Sequence, residues 1–98
     1  MTEKNKAALR WALTETSFTL EVKLQIKEAF ARYCEMREII KSCELCRLEE
    51  YEKRNPNPAI VTAMDNRERV YEFAAIQIDL LSQDCWGISF KEIYEKED

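Results

Sequence analysis

Apolar positions in this chain recur at helical spacing along two long runs. Between residues 19 and 52, Val22, Ile26, Ala29, Tyr33, Met36, Ile40 and Cys43 fall on one side at about 100° per residue, which predicts a long helix. Lys23, Lys27, Arg37 and Lys41 fall on one edge of it with Phe30 and Cys34 among them, and Glu21, Glu28 and Glu35 line the other edge. A second breaker-free run from Pro58 to Trp86 predicts a helix over 58–86, about 43 Å long at 1.5 Å per residue. Ile60, Met64, Val70, Ala74, Ile78, Leu81 and Cys85 make one stripe on it, and Phe73, Ile76 and Leu80 a second beside the first. A band that wide needs more than one packing partner. Upstream, Ala8, Leu9, Trp11 and Ala12 mark a short helix around 4–13. A polar link, Thr14-Glu15-Thr16-Ser17, follows, and Ser17 or Thr19 serves as cap for the next helix. After Gly87, Ser89 caps a last short helix through Phe90, Ile93 and Tyr94, before the charged end Lys96-Glu97-Asp98.

The breakers fix the class. One glycine and two prolines are too few turn residues for a small β domain. Both prolines sit in Asn55-Pro56-Asn57-Pro58, where each holds the residue before it in extended conformations. Asn57 is a good N-cap and Pro58 suits the first helical position, where its missing N–H costs nothing. Gly87 suits a left-handed helix C-terminus. The expectation is an all-α single domain over 1–98, an antiparallel hairpin of two long helices (about 19–52 and 58–86) with short helices at both ends. A two-layer hairpin of this size has a thin core, so part of the apolar band on the second long helix should meet another protein or another copy of the chain.

Composition narrows the chemistry. A chain that is 46% hydrophobic and 35% charged is neither disordered nor membrane-spanning. It has no histidine, which removes Ser-His and Cys-His nucleophile pairs and imidazole metal ligands. A single glycine excludes phosphate-cradling loops, which need several. The net charge of −4 is unevenly spread. Residues 1–54 hold 11 basic and 10 acidic side chains, residues 55–98 hold 4 and 9, so any contact with nucleic acid belongs on the first half. The first residues are too polar for a signal peptide and no apolar run reaches membrane length, so the expected compartment is the cytoplasm, with Cys34, Cys43, Cys46 and Cys85 as reduced thiols.

Four sets of residues invite a chemical reading, and each also has a plain one. Cys43-Glu44-Leu45-Cys46 has the spacing of zinc and redox pairs. It lies inside a helical run, without a second paired motif, and reads better as buried or half-buried thiols; no metal or cofactor is expected. Lys23, Lys27, Arg37 and Lys41 are candidate DNA-contact residues, but Glu38 and Glu44 lie within pairing distance along the helix, which fits a solvated flank. Asp65, Glu68, Glu72 and Asp79 recur at helical intervals, and an exposed helix face accounts for them without catalysis. Trp11, Tyr33, Tyr51, Tyr71, Phe73 and Trp86 have the spacing of core aromatics, with Trp86 beside Gly87 the one expected to stay partly exposed.

In order and spacing these features resemble the small subunit of phage terminases, the family that brings viral DNA to the packaging motor. The likeness rests on a Trp-containing first helix (Trp11), a polar link, and a helix with Tyr-Cys in mid-course, Ala31-Arg32-Tyr33-Cys34-Glu35-Met36-Arg37. Asn57-Pro58-Ala59 then opens a further helix, which ends in Trp86-Gly87-Ile88-Ser89. The likeness spans most of the chain. Phe90 stands where the family has Pro, the spacer before Asn-Pro-Ala is short, and the family's basic, proline-rich N-terminal arm is not matched.

The resemblance implies helical oligomerisation, contact with a small terminase and with the large subunit, weak or indirect DNA binding, no enzymatic activity, and a place in the bacterial host cell. It takes two forms: a compact small terminase, or a protein of a phage satellite or mobile element that joins a phage's small terminase and redirects or blocks packaging. The expected interface is Val70, Phe73, Ala74, Ile78, Leu81 and Trp86. The rival reading is a small acidic phage-type inhibitor of a host nuclease, or a regulator, unrelated to packaging, whose acidic second half imitates nucleic acid.

Overall fold

A computed structural model describes residues 2–14 and 17–96, and among these the chain is helical with no strand. The elements are α1 (Glu3–Thr14), α2 (Leu20–Tyr51), α3 (Pro58–Trp86) and α4 (Phe90–Glu95). The two long helices pack together, and the short helices α1 and α4, at the two ends of the chain, lie against each other. Glu15 and Thr16 of the expected polar link, and Glu97 and Asp98 of the charged end, lie outside the described residues.

Each helix starts and stops for a local reason. The Thr2 hydroxyl accepts from the Asn5 amide at 3.1 Å and opens α1. At α2 the cap is Thr19, whose hydroxyl accepts from the Val22 amide at 3.3 Å. Asn57 opens α3, its side-chain oxygen accepting from the Ala59 amide at 3.0 Å. Gly87 closes α3 at φ 67°, a left-handed conformation that a Cβ would strain. Ser89 caps α4, its hydroxyl accepting from the Glu92 amide at 3.3 Å.

The turn between the long helices is held by Glu50, a buried residue at the end of α2. One carboxylate oxygen accepts from the Asn57 amide at 2.9 Å and the other pairs with the Lys53 ammonium at 2.7 Å. Lys53, and after it the Asn57 amide, hold the Glu50 carboxyl below its ordinary range against the opposing effect of burial, while Glu50 raises Lys53 in turn.

Contacts divide the chain into two compact units, Met1–Glu35 with Gln77–Asp98, and Met36–Ile76. The first has the better core. Ile26 and Phe30 of α2 and Phe90 of α4 are fully buried, with Leu9, Leu13, Tyr33, Cys34 and Ile93 around them. Phe30 and Phe90 meet at 5.2 Å between ring centres, and Tyr33 lies 6.0 Å from Phe90 and 5.9 Å from Tyr94, the last edge-on. These are favourable aromatic geometries, on side chains that each contribute about 1.5–3 kcal/mol by burial alone. Phe30 and Cys34 therefore belong to the core and not to the cationic edge of α2 that the spacing suggested.

In the second unit the buried apolar residues among those described are Ile40, Cys43 and Ala75. Between α2 and α3 stands a partly buried ion pair, Arg47 to Glu68 at 3.2 Å. All seven residues expected on the packed side of α2 are buried or half-buried.

The packed side of α3 differs from the expected stripe. Its buried residues are Ala75, Asp79 and Ser82, with Val61, Met64, Glu68, Tyr71, Ala74 and Ile78 half-buried, whereas Ile60, Val70, Leu81 and Cys85 of the stripe are exposed. Asp79 is the reason in the first unit. Its carboxylate accepts from the Lys91 amide at 3.2 Å, the Ser89 hydroxyl at 3.5 Å and the Gln83 amide group at 2.9 Å, while Ser82 donates to the Ile88 carbonyl at 2.8 Å. A carboxylate satisfied this way is stable inside, and four of the polar groups around the α3–α4 turn depend on it or its neighbour. Asp79 and Glu68 are thus structural carboxylates, not members of an exposed acidic face.

Candidate interaction surfaces

Three features of the surface bear on function: the outer side of α3, the cysteine pair, and the cleft between α1 and α2. On α3 the side turned away from Ala75, Asp79 and Ser82 is apolar. Val70, Phe73 and Ile76 in the second unit, and Leu80 and Leu81 in the first, are all exposed, Phe73 by 65%. The charged members of that side are Arg69, which pairs with Asp65 at 3.2 Å, and Asp84. Of the six expected interface residues, Val70, Phe73 and Leu81 are exposed, and Ala74 and Ile78 are half-buried. Trp86 is half-buried with its ring 6.4 Å from that of Phe90, so it serves the aromatic core as well as the surface. Trp11 and Tyr51 are exposed rather than core, and the Lys96 ammonium lies 3.5 Å from the centre of the Trp11 ring.

Cys43 is buried and Cys46 exposed, and both are free thiols, as are buried Cys34 and exposed Cys85. Cys34 accepts a long contact from the Asn5 amide group at 3.7 Å. No cluster of three or more metal-ligating side chains occurs among the described residues, and Cys43 and Cys46 line a shallow hollow with Ile39, Met64 and Arg67.

The candidate DNA-contact residues divide. Arg37 and Lys41 lie in the second unit, Lys41 at 3.9 Å from Glu38. Lys23 and Lys27 lie in the first unit and line a cleft of about 410 Å³ between α1 and the start of α2. Its floor and walls are Leu9 and Leu13 from α1, which are buried, and Leu20 and Leu24 from α2, exposed by 75% and 57%. Lys6 and Arg10 of α1 line it opposite Lys23 and Lys27, and no carboxylate does among the described residues. The sequence carries a signal for this cleft that periodicity along one helix does not reveal. In each helix a Leu pair and a cation pair recur at i,i+4, namely Leu9/Leu13 with Lys6/Arg10 and Leu20/Leu24 with Lys23/Lys27.

Comparison with protein-family models, with characterised proteins and with solved structures finds no match to this chain. No described helix is long and apolar enough to cross a membrane.

Proposed function

We propose that this chain is a helical assembly protein of viral DNA packaging, related in plan to small terminase subunits and acting through protein contacts rather than catalysis. The observation that carries the reading is the exposed apolar row Val70, Phe73 and Ile76 of α3 in the second unit. It lies on the helix that begins at Asn57-Pro58-Ala59 and ends at Trp86-Gly87-Ile88-Ser89, the two steps on which the family resemblance rests. A row of large apolar side chains left in water is the mark of a surface covered by another protein. Its occupant in this reading is a helix of a small-terminase-type subunit, either another copy of this chain or the terminase of a phage whose packaging the chain redirects or blocks.

The candidate DNA-contact residues favour protein contact over direct DNA recognition. Lys41 has Glu38 beside it, and Lys23 and Lys27 flank leucines that a phosphate backbone would leave in water. The reading as an acidic mimic of nucleic acid loses ground on the second half of the chain, because Asp65 is paired with Arg69, Glu68 with Arg47, and Asp79 is buried under hydrogen bonds.

Light scattering of the purified protein, alone and mixed with a phage small terminase, tests the proposal. The expected result is an oligomer or a mixed assembly that persists at about 0.5 M salt, where charge attraction is screened within a few ångströms. A monomer that leaves the terminase oligomer unchanged refutes it, and an assembly that dissolves in salt favours charge mimicry.

A further inference from the structure

We infer that the cleft between α1 and the start of α2 is a docking groove for an acidic amphipathic helix of a partner protein. The groove offers apolar contact along its middle and positive charge along both edges: Leu9, Leu13, Leu20 and Leu24 between Lys6 and Arg10 on one wall and Lys23 and Lys27 on the other. Lys6 has Glu3 at 3.3 Å, an exposed pair that a partner carboxylate competes with at little cost. Among the described residues no acidic side chain lines the groove, so an occupant with carboxylates supplies the compensating charge.

The spacing selects a helix. Both walls repeat their leucine and their cation one turn apart, about 6 Å along the axis. An occupant with leucine-like side chains at i and i+4 and carboxylates on both flanks at the same interval covers exposed Leu20 and Leu24 over the floor that Leu9 and Leu13 form and meets the four cations, which is the helix-in-groove mode of recognition. An anionic lipid surface presents its head groups in one plane rather than as two charged flanks with apolar side chains between them. A nucleic acid supplies phosphates along one edge and leaves Leu20 and Leu24 uncovered. The exposed apolar row of α3 does not supply such a helix, because Arg69 lies on it and carboxylates do not line both its flanks. The groove uses none of the residues of that row, so its occupancy is independent of the assembly proposed above.

The test is fluorescence anisotropy with a synthetic labelled helix of about 18 residues, Leu at one-turn spacing and Glu on both flanks, titrated with the full chain. Expected is saturable binding that Lys23→Glu with Lys27→Glu weakens by roughly tenfold or more, two attractions becoming two repulsions. Reversal on the other wall, Lys6→Glu with Arg10→Glu, should do the same, and circular dichroism should show unchanged helicity in both. A peptide with Lys in place of Glu should prefer the reversed variants. Absence of binding to the wild type, or binding that neither reversal alters, overturns the inference. So does preferential binding of phosphatidylglycerol vesicles or of a DNA duplex over the acidic helix, which would assign the groove to those ligands instead.

Discussion

Phe→Ala at two positions separates the two sides of this molecule. Phe30 is fully buried against Phe90 and Tyr33, and Phe73 is 65% exposed on the outer side of α3. Truncating a fully buried phenylalanine costs about 3–5 kcal/mol, transfer and cavity together. At Phe73 only the covered third of the side chain contributes, which from about 1.5–3 kcal/mol for complete burial leaves roughly 0.5–1 kcal/mol in an isolated chain. Association alters that arithmetic. If a second copy covers the row, the folded state is stabilised by mass action, and for a dimer each tenfold rise in protein concentration adds about 1.4 kcal/mol. Urea denaturation followed by circular dichroism, at two protein concentrations a hundredfold apart, reads both effects. The wild-type midpoint should rise with concentration; Phe73→Ala should lower that dependence while costing little in the dilute sample; Phe30→Ala should destabilise at both. A Phe73→Ala cost equal to that of Phe30→Ala in dilute solution would refute the assignment of Phe73 to the surface. A wild-type midpoint independent of concentration would refute self-association through this row and leave only a foreign partner.

Two further outcomes follow from the polar contacts. Asp79→Ala strands the Lys91 amide and should cost about 1–3 kcal/mol in urea denaturation, with Asp79→Asn less harmful because its carbonyl oxygen still accepts that bond; equal losses in the two variants would contradict the hydrogen-bonding role. Because Glu50 is held below its ordinary pKa in the folded chain, its contribution should be fully present above the unfolded value and vanish as pH falls through the folded one, so the stability gap between wild type and Glu50→Gln should close in acid. The same gap at neutral and acid pH would contradict it.

Helix ends were legible from the sequence because they depend on near neighbours: Thr19, Asn57, Gly87 and Ser89 each cap or stop a helix through bonds within a few residues. The packed side of α2 was legible in Val22, Ile26, Ala29, Tyr33, Met36, Ile40 and Cys43, which share one stripe, while Leu20, Leu24, Leu45 and Leu48 lie off it and stay exposed. On α3 two apolar bands compete, and which of them faces inward is decided by partners distant in the chain, Lys91 for Asp79 and Arg47 for Glu68. Spacing along α3 alone carries no information about those partners. The cleft was only half visible, because Lys23 and Lys27 stood out as cations, while their pairing with Lys6 and Arg10 needs α1 and α2 side by side.

The inward bonds of α3 also fix an angle. Half a turn about its axis, α3 would carry Phe73 inward in one unit, and Leu80 inward with Ser82 outward in the other. Asp79 is a pin against that rotation within its own unit, through its hydrogen bonds, and Glu68 within its own, through the partly buried pair with Arg47. Each unit therefore holds its exposed apolar residues outward through its own polar contacts. Removing the pins would let the helix roll and hide the very surface through which the protein is proposed to assemble.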